Sequence, residues 1–382
     1  MATKKAASKR TTKKKRVAKK KTKKTKQTKA TTTATRKKAV PRKKARVRRR
    51  KRPVVVRWAL ALSSDFKQAA FCAGALHHLG LAKGKREFPL VAGAGSGAIL
   101  AALAALGSFE TMADAFCGLD GRQVARRRYG WLPGGPAARA MLAGVNRAPS
   151  LYLPADELRE MLARLVDPVA LAQSRTEVHF SSLDLQSGVL RSFCNHVDPP
   201  DELLAGLLAA ASPPVLFPPV RAGYAHHQHV EGGFAGEGPL RAVFRALGRE
   251  KPPAVDRILL LSTKAARSAS ATPSARGLGE VARRVWALAG QEQGWSEICA
   301  AQLVNGLLGL RDGLGAERFQ EALAALDPAT RSQMERHLKK RRTPLVHLHP
   351  AQAASGAPLE FDAVASRAAF EAGQQAARRM LG

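Results

Sequence analysis

The sequence predicts an α/β fold: a mostly parallel central sheet flanked by helices on both faces, behind a disordered N-terminal tail. Three observations predict it. Residues 1–52 hold 27 Lys and Arg and no Asp or Glu. Beyond them, short β-branched apolar runs alternate with segments of helical spacing, the pattern of a sheet covered on both sides. A small-residue stretch, Gly93 to Ala98, joins one such run directly to a helix.

The tail comes first. Val17, Val40 and Val47 are its only apolar side chains larger than Ala after Met1. It has nothing to bury and its like charges repel, so residues 1–53 are expected to stay disordered. In composition it resembles the Lys/Ala/Thr/Pro tails of linker-histone-like and bacterial nucleoid proteins. Such a segment binds polyanions by releasing counterions. The expected contacts are Lys13, Lys14, Lys15, Arg16, Lys19, Lys20, Lys21, Arg48, Arg49, Arg50, Lys51 and Arg52. Nucleic acid is the first partner to consider and an anionic membrane surface the second. A merely solubilising extension is the third reading.

Residues 54–382 read as one domain, in which 37 basic residues face 29 acidic ones. Cys72, Cys117, Cys194 and Cys299 are widely spaced and form no CxxC, which argues against a zinc site or a disulfide framework. No apolar run follows the basic N-terminus, so no secretory leader is expected. Residues 89–109 lack charge for 21 positions, but seven are Ala and four Gly, which suits a buried strand, turn and helix better than a membrane span. The expected location is cytoplasmic, with nucleoid or peripheral membrane association through the tail. No metal or cofactor is expected.

The elements follow in order. Val54 to Leu62 (VVVRWALAL) reads as a buried strand. Ala69 to Leu81 has helical spacing, Phe88 to Ala92 is a short strand, and Ile99 to Leu106 continues as a helix of small residues. Pro154 to Val166 is amphipathic, with acids in its first turn. Thr176 to Asp184 and Val189 to Asn195 read as strands joined through Leu185 to Gly188. Leu203 to Ala211 is helical. Arg257 to Ser262 is a buried strand, and residues 264–277 a flexible connection. Residues 278–342 form a mostly helical insertion ending in KKRR. Leu345 to Leu348 is the last strand and Ala363 to Leu381 the last helix.

The stretch Leu90-Val91-Ala92-Gly93-Ala94-Gly95-Ser96-Gly97-Ala98-Ile99 has the form of a nucleophile elbow, a strained turn between a buried strand and a helix. Phe180 to Gly188, Ala210 to Val220, Val230-Glu231-Gly232-Gly233 and Leu359 to Asp362 accompany it in order. With these segments the sequence resembles the patatin-like phospholipase family over most of residues 54–382. The resemblance implies the patatin-like α/β fold and a lipid acyl hydrolase with a Ser-Asp dyad, in which serine attacks the ester and aspartate is its base. A glycine-rich loop would supply backbone N–H groups to the oxyanion.

This chain departs from that pattern at all three places. The nucleophile position falls on Gly95. The aspartate position falls on Glu231. The glycine-rich loop falls on Ser64, Asp65, Phe66, Lys67, Gln68 and Ala69. Loss of one oxyanion donor costs ~10²–10³ in rate, and loss of a serine nucleophile about 10⁶. The expected function is therefore a pseudoenzyme or binding and scaffold protein with a polyanion-binding tail, for which a lipid or acyl group is a further candidate ligand. Two alternatives stand beside it. One is a weak serine acyl hydrolase using Ser96 and Glu231; the other is a nucleoid-associated DNA-binding protein. If Ser96 is not a nucleophile, it is expected to cap the helix after the elbow. His226, His227 and His229 could bind a metal beside Glu231, but the resemblance implies a strand or turn there and they read as an exposed polar turn; His77 and His78 read as partners of a helix C-terminus, Asp184 as structural and Cys72 as core packing.

Overall fold

The computed structural model describes residues 55–381, apart from 82–85, most of 128–149, 151, 155, 224–225, 236–237, 264–277, 339–341 and 352–358. The tail, the connection at 264–277 and most of the KKRR run lie outside the described residues. Residues 52–382 form one compact unit.

In chain order the strands are β1 (Val56–Ser64), β2 (Arg86–Gly95), β3 (Ala125–Arg127), β4 (Tyr152–Pro154), β5 (Glu177–Asp184), β6 (Leu190–Cys194), β7 (Val220–Ala222), β8 (His227–Glu231), β9 (Arg257–Ser262) and β10 (Leu345–Leu348). The helices are α1 (Ala69–Leu81), α2 (Ser96–Ala105), α3 (Phe109–Cys117), α4 (Gly121–Val124), α5 (Asp156–Leu165), α6 (Pro168–Gln173), α7 (Pro200–Ala210), α8 (Pro239–Leu247), α9 (Leu278–Leu314), α10 (Ala316–Ala324), α11 (Pro328–Leu338) and α12 (Ala363–Leu381).

The main sheet runs β10-β9-β1-β2-β5-β8-β7, with β6 on the other edge of β5. It is mixed rather than mostly parallel. Pairing is parallel from β10 to β5 and antiparallel among β5, β6, β7 and β8. The alternation of β1 sorts its residues between the two faces. Trp58, Leu60 and Leu62 pack into the larger core under α1, α2 and α12, while Ala59 and Ala61 face the smaller core with α8 and Ile298 of α9. A third small cluster, around Leu308, Phe319 and Leu323, holds α9 and α10 together.

Small residues let helices approach closely on the larger face. A Cβ on Gly74 of α1 would lie 2.0 Å from the Phe370 carbonyl oxygen of α12, and one on Gly373 would lie 2.0 Å from that of Phe71. The alanine-rich composition of both helices is therefore a packing requirement.

One strand exchange creates the site. β5 pairs with β2 only from Glu177 to Phe180, ending opposite Gly93. From Ser182 onward the same edge of β5 is taken by β8, with Ser182 opposite Glu231. β2 runs on to Gly95 alongside β1, with Ser64 opposite Gly95. The end of β2 and the end of β8 thus meet where the sheet changes partner.

His226 lies in an exposed turn and His227–Glu231 is a strand, which corrects the exposed-turn reading for His227 and His229 only. His229 is buried and its Nδ1 lies 2.8 Å from Ser182 Oγ. His227 Nδ1 lies 2.8 Å from Asp184 Oδ2. These polar partners let histidines occupy strand positions that hydrophobicity alone does not mark.

Candidate functional site

Gly95 ends β2 and forms the N-cap of α2, with φ 63° and ψ −142°. A positive φ is strained for any residue with a Cβ, and the strand-to-helix reversal depends on it. A Cβ built on Gly95 would lie 3.2 Å from Glu231 Oε1, so the two positions face each other. The same Cβ would lie 2.3 Å from the Ser64 carbonyl oxygen. The space that a side chain at position 95 needs is filled by the backbone of β1.

Ser64 is held there by Ser96. Ser96 Oγ donates to Ser64 O at 3.1 Å, and the two hydroxyls are 2.8 Å apart. Both residues are buried, Ser96 at 1% exposure. Ser96 therefore does not cap α2 through its side chain, whose N-terminus has no side-chain cap. Its hydroxyl fastens the elbow to the end of β1.

The following residues turn straight into α1. Asp65 Oδ1 accepts from the Gln68 N–H at 2.9 Å, and the Asp65 carbonyl accepts from the same N–H at 3.3 Å. Phe66 is buried, its ring 6.2 Å from that of Phe217. Ala69 N–H donates to Phe66 O at 3.4 Å. At this loop Ser64 presents an acceptor toward Gly95, and the Gln68 amide is engaged by Asp65. That is the reverse of what an oxyanion needs, since a developing negative charge is stabilised by unengaged donors.

Glu231 sits at the end of β8, half-buried, with its backbone N–H donating to Ser212 O at 2.8 Å. Ser212 in turn bonds Leu208 O at 2.7 Å, tying the Ser212-Pro213-Pro214 stretch to the end of α7. A narrow pocket of about 20 Å³, the space of roughly one water molecule, opens beside Glu231. Ser63, Ala94, Leu260 and Ser262 line it at the ends of the parallel strands, and Gly238 and Glu297 line its other side.

Glu297 was not foreseen from the sequence. It comes from α9, is buried, and accepts from the Gly238 N–H at 2.7 Å. Burial pushes its carboxyl above the usual range, partly offset by backbone N–H groups at the start of α8. Glu297 thus supplies the N-terminal cap that Gly238 lacks. A glutamate in a long helix whose partner lies 59 residues away in sequence leaves no local signal.

The remaining candidates lie elsewhere. Asp184 closes the β5–β6 turn, accepting from Gln186 N, Ser187 N and Ser187 Oγ at 2.8, 3.3 and 2.7 Å. The hydrogen bond to His227 is the largest cause holding its carboxyl far below the ordinary carboxylate range. His77 and His78 lie near the C-terminal end of α1, where His77 also bridges Glu110 and Gln374. Cys72 is fully buried in the larger core, where desolvation raises its thiol. No described helix is long and apolar enough to cross a membrane.

No curated protein matches the chain. Among solved structures, VipD from Legionella pneumophila is similar at 12% identity with a TM-score of 0.42, over 86% of this chain and 66% of that one. The chain thus spans just under two thirds of that protein's length. Residues 66–244, which include Gly95, Ser96 and Glu231, match the family model described as patatin-like phospholipase, and over those residues this α/β chain is similar to that family.

Proposed function

We propose that this protein is a non-hydrolytic patatin-like protein, a pseudoenzyme whose domain serves binding or scaffolding and whose basic tail holds it to a polyanion. One observation carries the reading. Opposite the Glu231 carboxylate, the position of an attacking serine is Gly95, and the Ser64 carbonyl fills the place of its side chain. A missing hydroxyl alone would be one substitution away from chemistry. An occupied volume and a loop turned acceptor-first are not.

Ser96 does not rescue the dyad. Its hydroxyl is buried and spent on both polar atoms of Ser64, whereas a nucleophile needs an open line to the substrate carbonyl and a base within hydrogen-bond reach. Glu231 remains as a carboxylate beside a small pocket of mixed polar and apolar lining.

The test is hydrolysis of p-nitrophenyl esters and phospholipid vesicles by the full chain beside Ser96→Ala. We expect turnover at background in both. Turnover in the parent that vanishes in Ser96→Ala would overturn the proposal and establish a serine hydrolase.

A further inference from the structure

Away from the elbow, at the start of β5, a second cluster of reactive side chains is buried on the face covered by α8. Glu177 and His179 are two apart on one strand, so both point to the same face. Cys194 of β6 is the direct cross-strand partner of His179. The three are 9%, 5% and 7% exposed. Glu177 Oε1 and His179 Nε2 are 2.6 Å apart, and one ligand atom from each of the three lies within 4.8 Å of the others. A carboxylate, an imidazole and a thiol so clustered offer three donor atoms to a single ion.

The fourth side is closed by a cation. Arg249, just beyond α8, pairs with Glu177, and its Nη2 lies 3.5 Å from His179 Nε2. The guanidinium neutralises Glu177, and nearly half of its side chain is exposed, so it can leave toward solvent without breaking the core.

We propose that Glu177, His179 and Cys194 form a zinc site, with Arg249 as the cation that occupies it in the metal's absence. The donor set selects a borderline-soft ion: sulfur and nitrogen favour Zn²⁺ over Mg²⁺ or Ca²⁺. Binding forms bonds from the metal to the thiolate, the imidazole nitrogen and the carboxylate. The thiol proton is released to solvent, the proton that His179 Nε2 shares with Glu177 passes through solvent to Nδ1, Arg249 swings outward, and a water fills the open fourth position. No electron is transferred. Residue spacing carries little sign of the site, because Cys194 has no second cysteine nearby and only the β5–β6 register brings it to His179.

Cobalt titration of the full chain tests this, because a Co²⁺–thiolate bond has a charge-transfer absorption that oxygen and nitrogen ligands lack. Wild type should take up one ion per chain with that band, and zinc should displace it. Cys194→Ser, nearly isosteric, should keep the circular dichroism of the parent and lose the band. Arg249→Ala should reach half-saturation at a lower cobalt concentration, because the competing cation is gone. Absence of the band in wild type, or uptake unchanged by Cys194→Ser, would overturn the site. An unchanged half-saturation point in Arg249→Ala would overturn the role of the arginine.

Discussion

At Gly95 two constraints act on the same missing atom. The backbone holds φ at 63°, where a Cβ is strained, and the Ser64 carbonyl oxygen lies 2.3 Å from where that Cβ would be. Each has a cost in Gly95→Ser: strain in a left-handed conformation is about 1–3 kcal/mol, and overpacking against backbone adds about as much. The variant should unfold at a clearly lower denaturant concentration than the parent while gaining no ester turnover, although its hydroxyl would point toward Glu231. A Gly95→Ser protein of parental stability, or one that hydrolyses p-nitrophenyl butyrate, would show that Ser64 yields easily and that the elbow is only one step from activity. The position of Gly95 was legible in the sequence, because the small residues on both sides fix the register of the turn. The obstruction was not, since it depends on how far β1 runs. The strand continues past Leu62 to Ser64, and those two polar residues are what bring a carbonyl to Gly95.

At the scale of elements, the β5–β6 hairpin and β8 share one carboxylate in addition to their strand pairing. Asp184 accepts from the turn and from His227 across to β8. Its folded-state pKa is depressed, so the sign is fixed: the group stabilises the fold above the ordinary carboxylate pKa of about 3.9 and loses that contribution as pH falls below it. Asp184→Asn should therefore be less stable than the parent at neutral pH, with the gap narrowing below about pH 4. Denaturation midpoints at several pH values measure it, and a gap independent of pH would mean that the charge of Asp184 is not what joins the strands. The same region marks the limit of reading by pattern. β9, β10, α1 and α12 were legible to the residue because their apolar spacing is uninterrupted. β8 was not, because HQHVE carries its burial on His229, and a buried histidine is invisible until Ser182 is seen beside it. The helical insertion at 278–342 was recognised as helix, but its contribution to the pocket, Glu297, required the tertiary structure.

At the scale of the molecule, charge divides the chain into parts with different work. Residues 1–52 hold 27 basic side chains and no acidic ones, while the rest balances 37 against 29. If the domain is non-hydrolytic, as proposed, it needs no substrate flux, and its location becomes the property on which selection can act. If the tail sets that location through phosphates, affinity must carry the signature of counterion release: log K falls linearly with log salt, with a slope of about −0.9 per phosphate neutralised on duplex DNA. The full chain should be retained on immobilised duplex DNA at low salt and released as salt rises, with no preference between unrelated sequences. Deleting residues 2–52 should abolish retention, because the near balance of charge in residues 53–382 leaves few contacts to neutralise. Vesicles with and without an anionic lipid provide the competing arm, since lipid headgroups attract the same side chains at about 1 kcal/mol each. Stronger retention on the anionic vesicles than on DNA at matched salt would transfer the tail's role to a membrane surface. Retention on DNA that survives the deletion with an unchanged slope would move the contact to the folded domain, and the tail would then have no part in placing it.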